Sequence, residues 1–589
     1  MSTIDLTEDQ RALVDASDSL FAVACPGAGK THAMVTRFVK RTAEEPRKGI
    51  GLISFTNAAV DEVRRRCGGD TEALKAPNFV GTFDSFLHRF IVTPLFTKHY
   101  KKPPRYVQSW KDAPSGTFRM YDYSQRRDLI PGSEPIQMGW FDFDLNGRAS
   151  LVRVPSRFGK TATETLMSLR VQAEDQASDR FGKLIREGTV TCEAGRILAC
   201  IWVRDPRARK VIAPLIAARF AEVIVDEAQD CGEEELLVLG FLRECGIRVI
   251  MVGDIDQSIY EFRSATPHAV QAFAEDLPIQ LELRGNFRSS PAISAFNNGL
   301  RSGNLVESSS GKHATLSTPV HLLEFSNLDE IAPAALRIAE KHKLDASDLM
   351  LLSHAEAHSM RAAGVTDAES TSSKVLEIAD AGFKLRAADF DARTRLKMLE
   401  KVERSVLKLL TYGKDTGHKS YELIREELGI DPRWLREFAV RLTVALNATG
   451  KNRTSFAAEV RDFLNNADWG AATPPKAQDI SNLYKAPTEK TWDSVTDLQD
   501  GPVVRYATVH GVKGLGFRGV VLIIPEAPKS KATEEVLDAW ERGQDAEARR
   551  VLYVAGSRAE ELLMLAVHTN HVDRVAALLV AKGVPHERP

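Results

Sequence analysis

The chain has 589 residues, of which 27% are charged and 43% hydrophobic, with 78 Lys and Arg against 80 Asp and Glu. A chain of this length folds as several domains, at about 150 residues per domain, and has ample apolar surface to bury. The formal net charge of −2 excludes a global basic field, so any nucleic-acid partner must be held by a local groove.

Six cysteines stand singly at positions 25, 67, 192, 200, 231 and 245, and no C-x-x-C pair occurs. This pattern argues against a zinc ribbon or an iron–sulfur cluster and fits a reducing compartment. The N-terminus is polar and acidic, and no apolar run approaches the roughly 18 residues that a membrane span needs. We therefore expect a cytoplasmic protein without a membrane partner.

A short apolar run, Leu20–Val23, is typical of a buried strand and leads into a glycine-rich segment. Glycines in such a segment let backbone N–H groups approach phosphate oxygens, and the following helix presents its positive N-terminus. Lys30 would reach the β- and γ-phosphates of ATP, and the Thr31 hydroxyl would bind Mg²⁺. The predicted phosphate-binding loop comprises Ala24, Cys25, Pro26, Gly27, Ala28, Gly29, Lys30 and Thr31.

A second apolar run, Val223–Val225, ends in the acidic pair Asp226 and Glu227. At a strand end, Asp226 would complete the Mg²⁺ shell and Glu227 would polarise the attacking water. A glycine-rich loop alone is often only a tight connection between a strand and a helix. Together, the phosphate loop and the carboxylate pair predict a nucleoside triphosphatase that uses ATP and Mg²⁺.

Further motifs follow in order, and together they resemble those of superfamily 1 helicases of the UvrD/PcrA/Rep type. The segment around Gln10 resembles the adenine-reading Q motif of that family. The resemblance extends from near residue 6 to near residue 565, and eight motifs in order are far more specific than any one of them. The segments that resemble motifs Ia, Ib, III, IV, V and VI are Phe55–Ala59, Gly81–Phe86, Gly253–Arg263, Arg284–Ser289, Thr508–Leu515 and Tyr553–Ala559.

The resemblance implies an α/β fold of the P-loop nucleoside triphosphatase class, with two RecA-like parallel-sheet motor domains that each carry a mainly helical insertion. Alternating strands and helices predict the first motor domain at residues 1–95 and 213–277, with its insertion at 96–212. The second motor domain is expected at 278–365 and 500–589, and its helical insertion at 366–499.

In this family, ATP is contacted by groups from both motor domains. The resemblance makes Arg288 and Arg558 the arginines that contact the γ-phosphate, and both fall in the expected second domain. A guanidinium suits this role because it is always charged and forks onto phosphate oxygens. Gln257 would sense the γ-phosphate, and Phe287 would stack on adenine unless it is an ordinary core aromatic.

The residues that follow Gln257 are the main candidates for contact with nucleic acid. The resemblance assigns Tyr260, Phe262 and Arg263 to this role, since aromatic rings stack on bases of any sequence; the alternative is that the rings are buried in the core. Single-stranded DNA, or a junction of single and double strands, is therefore the expected partner. The corresponding candidates from motifs Ia, Ib and V are Phe55, Thr82, Thr508 and His510.

Two positions depart from the family pattern. Gly516 stands where relatives commonly carry a glutamate that reaches the ATP ribose, which puts ribose recognition in doubt. Asp84 stands where motif Ib often has histidine. A carboxylate near a phosphate track is expected to weaken binding there.

Two functions of different classes fit these motifs. The first is an ATP-dependent single-stranded-DNA translocase or helicase that moves 3′→5′, a polarity implied by the resemblance alone. The second is a DNA-dependent ATPase that regulates a separate nuclease partner in anti-phage defence, with little unwinding of its own. Residues Phe83–Leu95 resemble, more weakly, the helicase-like component of the Gabija anti-phage defence system. The same motor would also serve a recombination mediator that strips proteins from DNA.

Overall fold

The structure is a computed structural model, and it divides into two compact units. The first unit comprises Met1–Thr315 and Gly543–Tyr553, and the second comprises Leu316–Arg542 and Val554–Pro589. Within the described residues, no helix is both long and apolar enough to cross a membrane. The structure describes residues 6–68, 72–113, 116–122, 124–155, 158–259, 267–303, 305–364, 373–386, 392–414, 421–470, 472–489, 492, 504–526 and 532–588.

The first unit opens with a capped helix and then alternates strands and helices. At the start of the first helix, the Thr7 hydroxyl accepts a hydrogen bond from the Gln10 N–H at 3.2 Å, and the Gln10 side chain accepts one from the Thr7 N–H at 3.1 Å. A π-helical turn, His88–Val92, separates the last two helices of this segment. Its elements are α1 (Glu8–Asp15), β1 (Leu20–Ala24), α2 (Lys30–Glu44), β2 (Gly49–Ser54), α3 (Asn57–Cys67), β3 (Phe79–Thr82), α4 (Phe83–Leu87) and α5 (Thr93–Tyr100).

The first insertion begins with short strands and continues with helices. Its elements are β4 (Arg105–Val107), β5 (Thr117–Phe118), β6 (Tyr121–Asp122), β7 (Arg127–Asp128), β8 (Ile136–Gln137), β9 (Phe141–Phe143), β10 (Ala149–Leu151), α6 (Lys160–Ser168), α7 (Arg170–Glu187), β11 (Thr189–Thr191), α8 (Cys192–Arg204) and α9 (Pro206–Arg219). Strands β4 and β11 pair in parallel, whereas the other short strands form antiparallel pairs. The apolar side chains of the insertion join one continuous core with those of the first sheet.

The remainder of the first unit completes a six-stranded parallel sheet in the order β14-β1-β13-β12-β2-β3. Its central strands are almost wholly buried, as expected where helices cover both faces of a parallel sheet. The loops that follow β1, β12 and β13 therefore meet at one edge of the sheet. These elements are β12 (Phe220–Val225), α10 (Glu233–Glu244), β13 (Arg248–Gly253), α11 (Pro267–Glu275), β14 (Ile279–Leu283), β15 (Gly285–Asn286), α12 (Pro291–Leu300) and β16 (Ser308–Ser309).

The predicted start of the second motor domain near residue 278 differs from the structure. Strand β14 pairs in parallel with β1 over five residues, from Leu20 opposite Ile279 to Ala24 opposite Leu283. The Cys25 N–H also donates to the Leu283 carbonyl at 3.1 Å. The first unit thus extends to Thr315, because an apolar strand pattern does not reveal which sheet the strand will join.

The second unit contains another six-stranded parallel sheet, in the order β19-β18-β20-β21-β17-β22. The division between the units falls within α22, after Tyr553. The elements outside the second insertion are β17 (Val320–Phe325), α13 (Ile331–Lys341), β18 (Leu349–Ser353), α14 (Glu356–Ala362), β19 (Arg505–Thr508), β20 (Phe517–Ile524), α21 (Ala532–Arg542), α22 (Glu547–Gly556), β21 (Ala559–His568), α23 (Val572–Ala581) and β22 (His586–Glu587).

The second insertion is helical, as predicted, in the residues that the structure describes between 373 and 489. Its helices share a core of their own, with Phe438, Phe456 and Tyr484 wholly buried. These helices are α15 (Lys374–Arg386), α16 (Ala392–Leu410), α17 (Tyr421–Glu427), α18 (Pro432–Ala445), α19 (Arg453–Asn466) and α20 (Ala477–Leu483).

A buried acid, Glu222 of β12, ties the first sheet to two helices. Arg37 of α2 donates to both carboxylate oxygens of Glu222, at 2.7 and 2.8 Å, and both side chains are fully buried. Arg37 also donates to the Leu13 carbonyl of α1 at 2.7 Å. Arg248 of β13 donates to the same carboxylate at 3.1 Å. The ion pair of Arg37 and Glu222 is therefore bidentate, and Arg248 contributes a second positive charge to the same carboxylate.

We expect the substitution Glu222→Gln to destabilise the first unit by about 3–5 kcal/mol, because it leaves the buried Arg37 without its counter-charge. Calorimetry would record this as a lower transition temperature for that unit. The matched control is Glu282→Gln, whose ion pair with Arg284 is exposed and should contribute nothing measurable. Equal transition temperatures for the two variants would contradict the expectation.

Candidate functional site

The phosphate loop between β1 and α2 adopts, at two positions, a backbone that favours glycine. Gly27 and Gly29 both have a φ of +72°, in the left-handed region. A Cβ added to Gly27 would lie 2.6 Å from the Cβ of Arg288 and from Asn286 Oδ1. A Cβ added to Gly29 would lie 2.6 Å from Gln10 Nε2. The loop thus has neighbours on both sides and is suited to close approach by phosphate oxygens.

Residues of the predicted nucleotide site contact this loop directly. The Gln10 side chain donates from Nε2 to the Ala28 carbonyl at 2.8 Å, so the segment resembling the Q motif lies against the phosphate loop. Helix α2 begins at Lys30, which places the unpaired N–H groups of its first turn at the loop. The Lys30 ammonium group lies 3.4 Å from the Ala24 carbonyl oxygen. The structure therefore brings Gln10, the loop and Lys30 together.

The acidic pair lies at the end of β12, as predicted. Asp226 is buried, and its N–H donates to the Ile53 carbonyl of β2 at 2.9 Å. Glu227 has a left-handed backbone, with a φ of +52°, and its N–H donates to Asp226 Oδ1 at 2.9 Å. Burial and the charge of Glu227 raise the pKa of Asp226 to about 7, against the opposing effect of Lys30.

These residues fit a Mg²⁺ ion. A buried carboxylate that ionises reluctantly on its own is stabilised as an anion by a divalent cation, and Mg²⁺ takes oxygen ligands together with the phosphates of its nucleotide. The chain supplies a carboxylate from Asp226 and a hydroxyl from Thr31, the second residue of α2.

A relay of hydrogen bonds joins Glu227 to the segment after β13. Gln229 Nε2 donates to Glu227 Oε2 at 2.5 Å. The Oε1 atom of Gln229 accepts from the Asp254 N–H at 2.9 Å. Gly253 permits this contact, because a Cβ there would lie 2.5 Å from Gln229 Oε1. Glu227, the predicted water-polarising residue, is thus linked through the Gln229 side chain to the backbone amide of Asp254.

Asp254 is a fully buried carboxylate surrounded by donors. Gln257 Nε2 donates to Oδ2 at 2.9 Å, and the Tyr553 hydroxyl donates to the same oxygen at 2.7 Å. Arg301 contacts both oxygens, Oδ1 at 3.0 Å and Oδ2 at 3.3 Å. Burial opposes ionisation, but Arg301 and Lys30 hold the pKa of Asp254 below its usual value. Gln257 is therefore held by a charged acceptor.

A second acid, Asp256, extends this cluster. Its Oδ1 accepts from the Ser302 N–H at 2.9 Å, and Arg301 Nε lies 3.5 Å from its Oδ2. Burial and the nearby charge of Asp254 raise the pKa of Asp256. Arg550 of α22 donates to the Ser258 carbonyl at 2.7 Å. The first turns of α22 and the end of α12 therefore enclose the segment that contains Gln257.

Asn286 and Glu307 form a further buried pair next to the phosphate loop. The Asn286 side chain accepts from the N–H groups of Arg288 and Ser289, at 2.9 and 3.0 Å, and donates to Glu307 Oε1 at 3.0 Å. Asn297 donates to the same oxygen at 3.0 Å. Burial raises the pKa of Glu307 to about 7.

Phe287 and Arg288 lie in the first unit, not in the second as predicted, because β14 carries them to the edge of the first sheet. The Phe287 N–H donates to the Gly27 carbonyl at 3.0 Å, and the Phe287 ring is 37% exposed. The Arg288 side chain is half-buried. An exposed ring beside the phosphate loop is compatible with the predicted stacking on adenine and differs from an ordinary core aromatic.

Arg558, Thr508 and His510 lie in the second unit. Arg558 is buried, and its guanidinium donates to the Val554 and Leu515 carbonyls at 3.0 and 3.2 Å. Thr508 ends β19, and its hydroxyl accepts from the Gly511 N–H at 3.1 Å. The predicted roles of these residues toward ATP and DNA stay predictions.

Two nucleic-acid candidates lie at the ends of β2 and β3. Phe55 is half-buried and stacks on Phe83, with ring centroids 5.8 Å apart and an interplanar angle of 18°. Thr82 caps α4 through its hydroxyl, which accepts from the Ser85 N–H at 3.2 Å. The other candidates, Tyr260, Phe262 and Arg263, lie outside the described residues.

Several residues that build the site have no role predicted from the sequence. Asp254, Asn286 and Tyr553 lie within recognised motifs, so motif membership was the available signal. Arg301 and Glu307 lie outside the motifs, and no local pattern distinguishes them from surface charges. They become apparent only as buried partners of motif residues.

We expect Glu307→Gln to change the pH dependence of stability. With a folded pKa of about 7 against an ordinary value of 4.5, the wild-type protein is most stable when Glu307 is protonated and loses that stability as pH rises to about 7. The variant has no such titration. Its stability relative to wild type should rise between those pH values by at most about 3 kcal/mol and then level off. Thermal unfolding at pH 5, 6, 7 and 8 measures this; parallel curves would contradict it.

Comparison with known proteins agrees with this geometry. Residues 6–133 and 175–278 match the UvrD/REP helicase N-terminal domain family. DNA helicase II of Escherichia coli (strain K12) is 26% identical over 306 residues, which cover 51% of this chain and 40% of the relative. ATP-dependent DNA helicase UvrD1 of Mycobacterium tuberculosis (strain ATCC 25618 / H37Rv) is 26% identical over 313 residues, which cover 49% of this chain and 38% of the relative.

A further relative is similar to this chain over a shorter segment. An ATP-dependent helicase/nuclease subunit of Lacticaseibacillus casei (strain BL23) is 38% identical over 116 residues, or 18% of this chain and 9% of the relative. The matched segments thus span two fifths or less of the lengths of these relatives. The family match covers the phosphate loop, the acidic pair and Gln257, which the structure brings to one edge of the first sheet. Residues 6–133 and 175–278, which lie within the first unit, are thus similar to the UvrD/REP helicase N-terminal domain family.

Proposed function

We propose that this protein is an ATP-dependent single-stranded-DNA translocase or helicase. The observation that carries the proposal is the joint placement of the phosphate loop, the buried Asp226 with its neighbour Glu227, and Gln257 at one edge of a parallel sheet. A UvrD/REP helicase N-terminal domain match over the same residues supports it. The 3′→5′ polarity rests on the resemblance to superfamily 1 helicases.

The residues of the first unit would divide the ATPase chemistry as follows. The N–H groups of the loop and the first turn of α2 bind the phosphates, and Lys30 adds a positive charge. Thr31 and Asp226 hold Mg²⁺, which when bound supplies charge neutralisation on the phosphates. Glu227 polarises the attacking water.

The relay through Gln229 would provide a route from ATP to the segment that we propose binds DNA. Gln257 is held by Asp254, whose N–H contacts the side chain that also holds Glu227. A shift of Gln257 toward or away from the γ-phosphate would therefore change both the position of Glu227 and the start of the segment that carries Tyr260. We propose that this coupling converts hydrolysis into movement on the strand. Arg288 and Arg558 would contribute charge to the transition state.

A second candidate function is regulation of a separate nuclease partner in anti-phage defence. The observation that favours it is the similarity to a protein whose name describes a helicase/nuclease component. In that case, the protein would hydrolyse ATP on DNA but displace few strands. A strand-displacement assay with the chain alone, and again with a co-purified nuclease, distinguishes the two functions.

The substitution Glu227→Gln should separate nucleotide binding from hydrolysis. Asp226 and Thr31 remain to hold Mg²⁺, so ATP should bind with nearly wild-type affinity while turnover falls by about 10²-fold or more. Lys30→Ala should instead weaken ATP binding as well. Glu233→Gln on α10 is the matched control, because its side chain is exposed and lies outside the motifs. Steady turnover by Glu227→Gln, or a collapse of its ATP affinity, would refute the assigned role.

Single-stranded DNA should stimulate ATP hydrolysis, and the stimulation should fade with added salt because phosphate contacts release counterions. Tyr260→Ala should bring the stimulated rate toward the DNA-free rate by removing a stacking platform. Arg558→Ala should leave DNA bound but lower turnover by about 10³-fold if the side chain acts on the transition state. Indifference of the wild-type ATPase to single-stranded DNA and RNA alike would exclude the proposed function.

A further inference from the structure

Asp84 lies among the residues predicted to contact a DNA strand. Asp84 is the second residue after Thr82, the last residue of β3. Strand β3 pairs with β2, and Thr82 lies opposite Ser54. Phe55 directly follows Ser54 in the chain, and its ring stacks on the ring of Phe83. Strands β2 and β3 form one end of the first sheet, whereas the phosphate loop follows β1 toward the other end. The carboxyl ends of β2 and β3 thus lie on the same edge of the sheet as the phosphate loop, toward its other end.

Asp84 is not an isolated negative charge at this site. Arg196 of α8 donates from Nε to Asp84 Oδ1 at 2.7 Å and from Nη2 to Oδ2 at 3.0 Å. Glu235 of α10 is buried, and its Oε1 lies 3.6 Å from Arg196 Nε. The expectation that Asp84 weakens binding of phosphate here stays a prediction, but the carboxylate is paired with a guanidinium from the first insertion.

The pair leaves one part of the guanidinium available. A guanidinium carries five N–H donors in a planar fork, and the bidentate contact uses the edge formed by Nε and Nη2. Nη1 of Arg196 makes no hydrogen bond to any described residue, and the side chain is 35% exposed. A carboxylate that holds one edge of the fork fixes its plane, so the two N–H donors of Nη1 are preorganised.

We propose that Arg196 contacts a phosphodiester group of the bound strand through Nη1, and that Asp84 is the positioning residue that orients it. The inference rests on the proposed function, because it requires a nucleic-acid strand along this edge of the sheet. Arg196 lies in the first insertion, so the insertion contributes directly to strand binding. The alternative is a purely structural pair, in which Arg196 only neutralises Asp84 and fastens α8 to α4.

A double-mutant cycle separates these two possibilities. The variants are Arg196→Gln, Asp84→Asn and the double variant, and the probe is a fluorescent oligothymidylate bound by the full chain over a range of salt concentrations. Arg170→Gln is the charge control, because it removes one positive charge from a different pair, with Glu174 of α7. Thermal unfolding verifies that each variant is folded.

If Arg196 binds phosphate, Arg196→Gln should lose about tenfold in affinity, and its plot of log affinity against log salt should be shallower by about 0.7, the value for one contact on a single strand. The double variant should show the same loss and the same shallower slope. If the pair is only structural, the double variant should regain wild-type affinity and slope, because no unpaired carboxylate remains. That recovery would overturn the proposal.

Arg196→Lys keeps the test decisive if the glutamine variant fails to fold. A lysine retains the charge but not the planar fork, so we expect a wild-type salt slope with reduced affinity. Wild-type affinity in this variant would show that orientation by Asp84 is irrelevant and would overturn the positioning role. Failure of the wild-type chain to bind the oligonucleotide would instead refute the proposed function itself. The two failures are thus distinguishable.

Discussion

Asp254 is a carboxylate without solvent contact, so neighbouring side chains must balance its charge. The arrangement of the residues around Gln257 depends on this requirement. The negative charge of Asp254 is balanced by Arg301, and Tyr553 and Gln257 donate further hydrogen bonds to the carboxylate. These donors come from the end of α12, from α22 and from the turn after β13, so the acid draws together segments far apart in the chain. Removal of any donor would leave a buried charge undercompensated, which is a large cost. Gln257 is consequently held by a charged acceptor.

The approach of neighbouring segments to the phosphate loop is a steric constraint of similar consequence. Asn286 and Arg288 lie where a side chain on Gly27 would be, and Gln10 lies where one on Gly29 would be. Strand β14 delivers the first two by pairing with β1, and the capped helix α1 delivers the third. Candidate nucleotide-binding residues therefore come from near both ends of Met1–Thr315, the longer of the two segments of the first unit. Backbone hydrogen bonds of α1 and β14 position them.

Local charge pairing also reconciles the nearly neutral composition with the proposed DNA partner. Glu222 is balanced by Arg37 inside the sheet, and Asp84 is balanced by Arg196 at its edge. The first pair is fully buried and stabilises the fold, whereas the second is partly exposed and keeps a donor for a ligand. Similar ion pairs thus serve different purposes because their burial differs.

Local spacing and periodicity predicted a strand, a glycine-rich loop and a helix around Lys30 and an acidic pair at a strand end, whereas the resemblance implied the helical second insertion. They did not predict that β14 joins the first sheet, since strand pairing is decided by contacts between distant segments. Nor did they identify Arg301 or Arg196, whose surroundings in sequence resemble those of solvated surface arginines. Folding gives these side chains their carboxylate partners, and that pairing, not the residue type, decides what each arginine does.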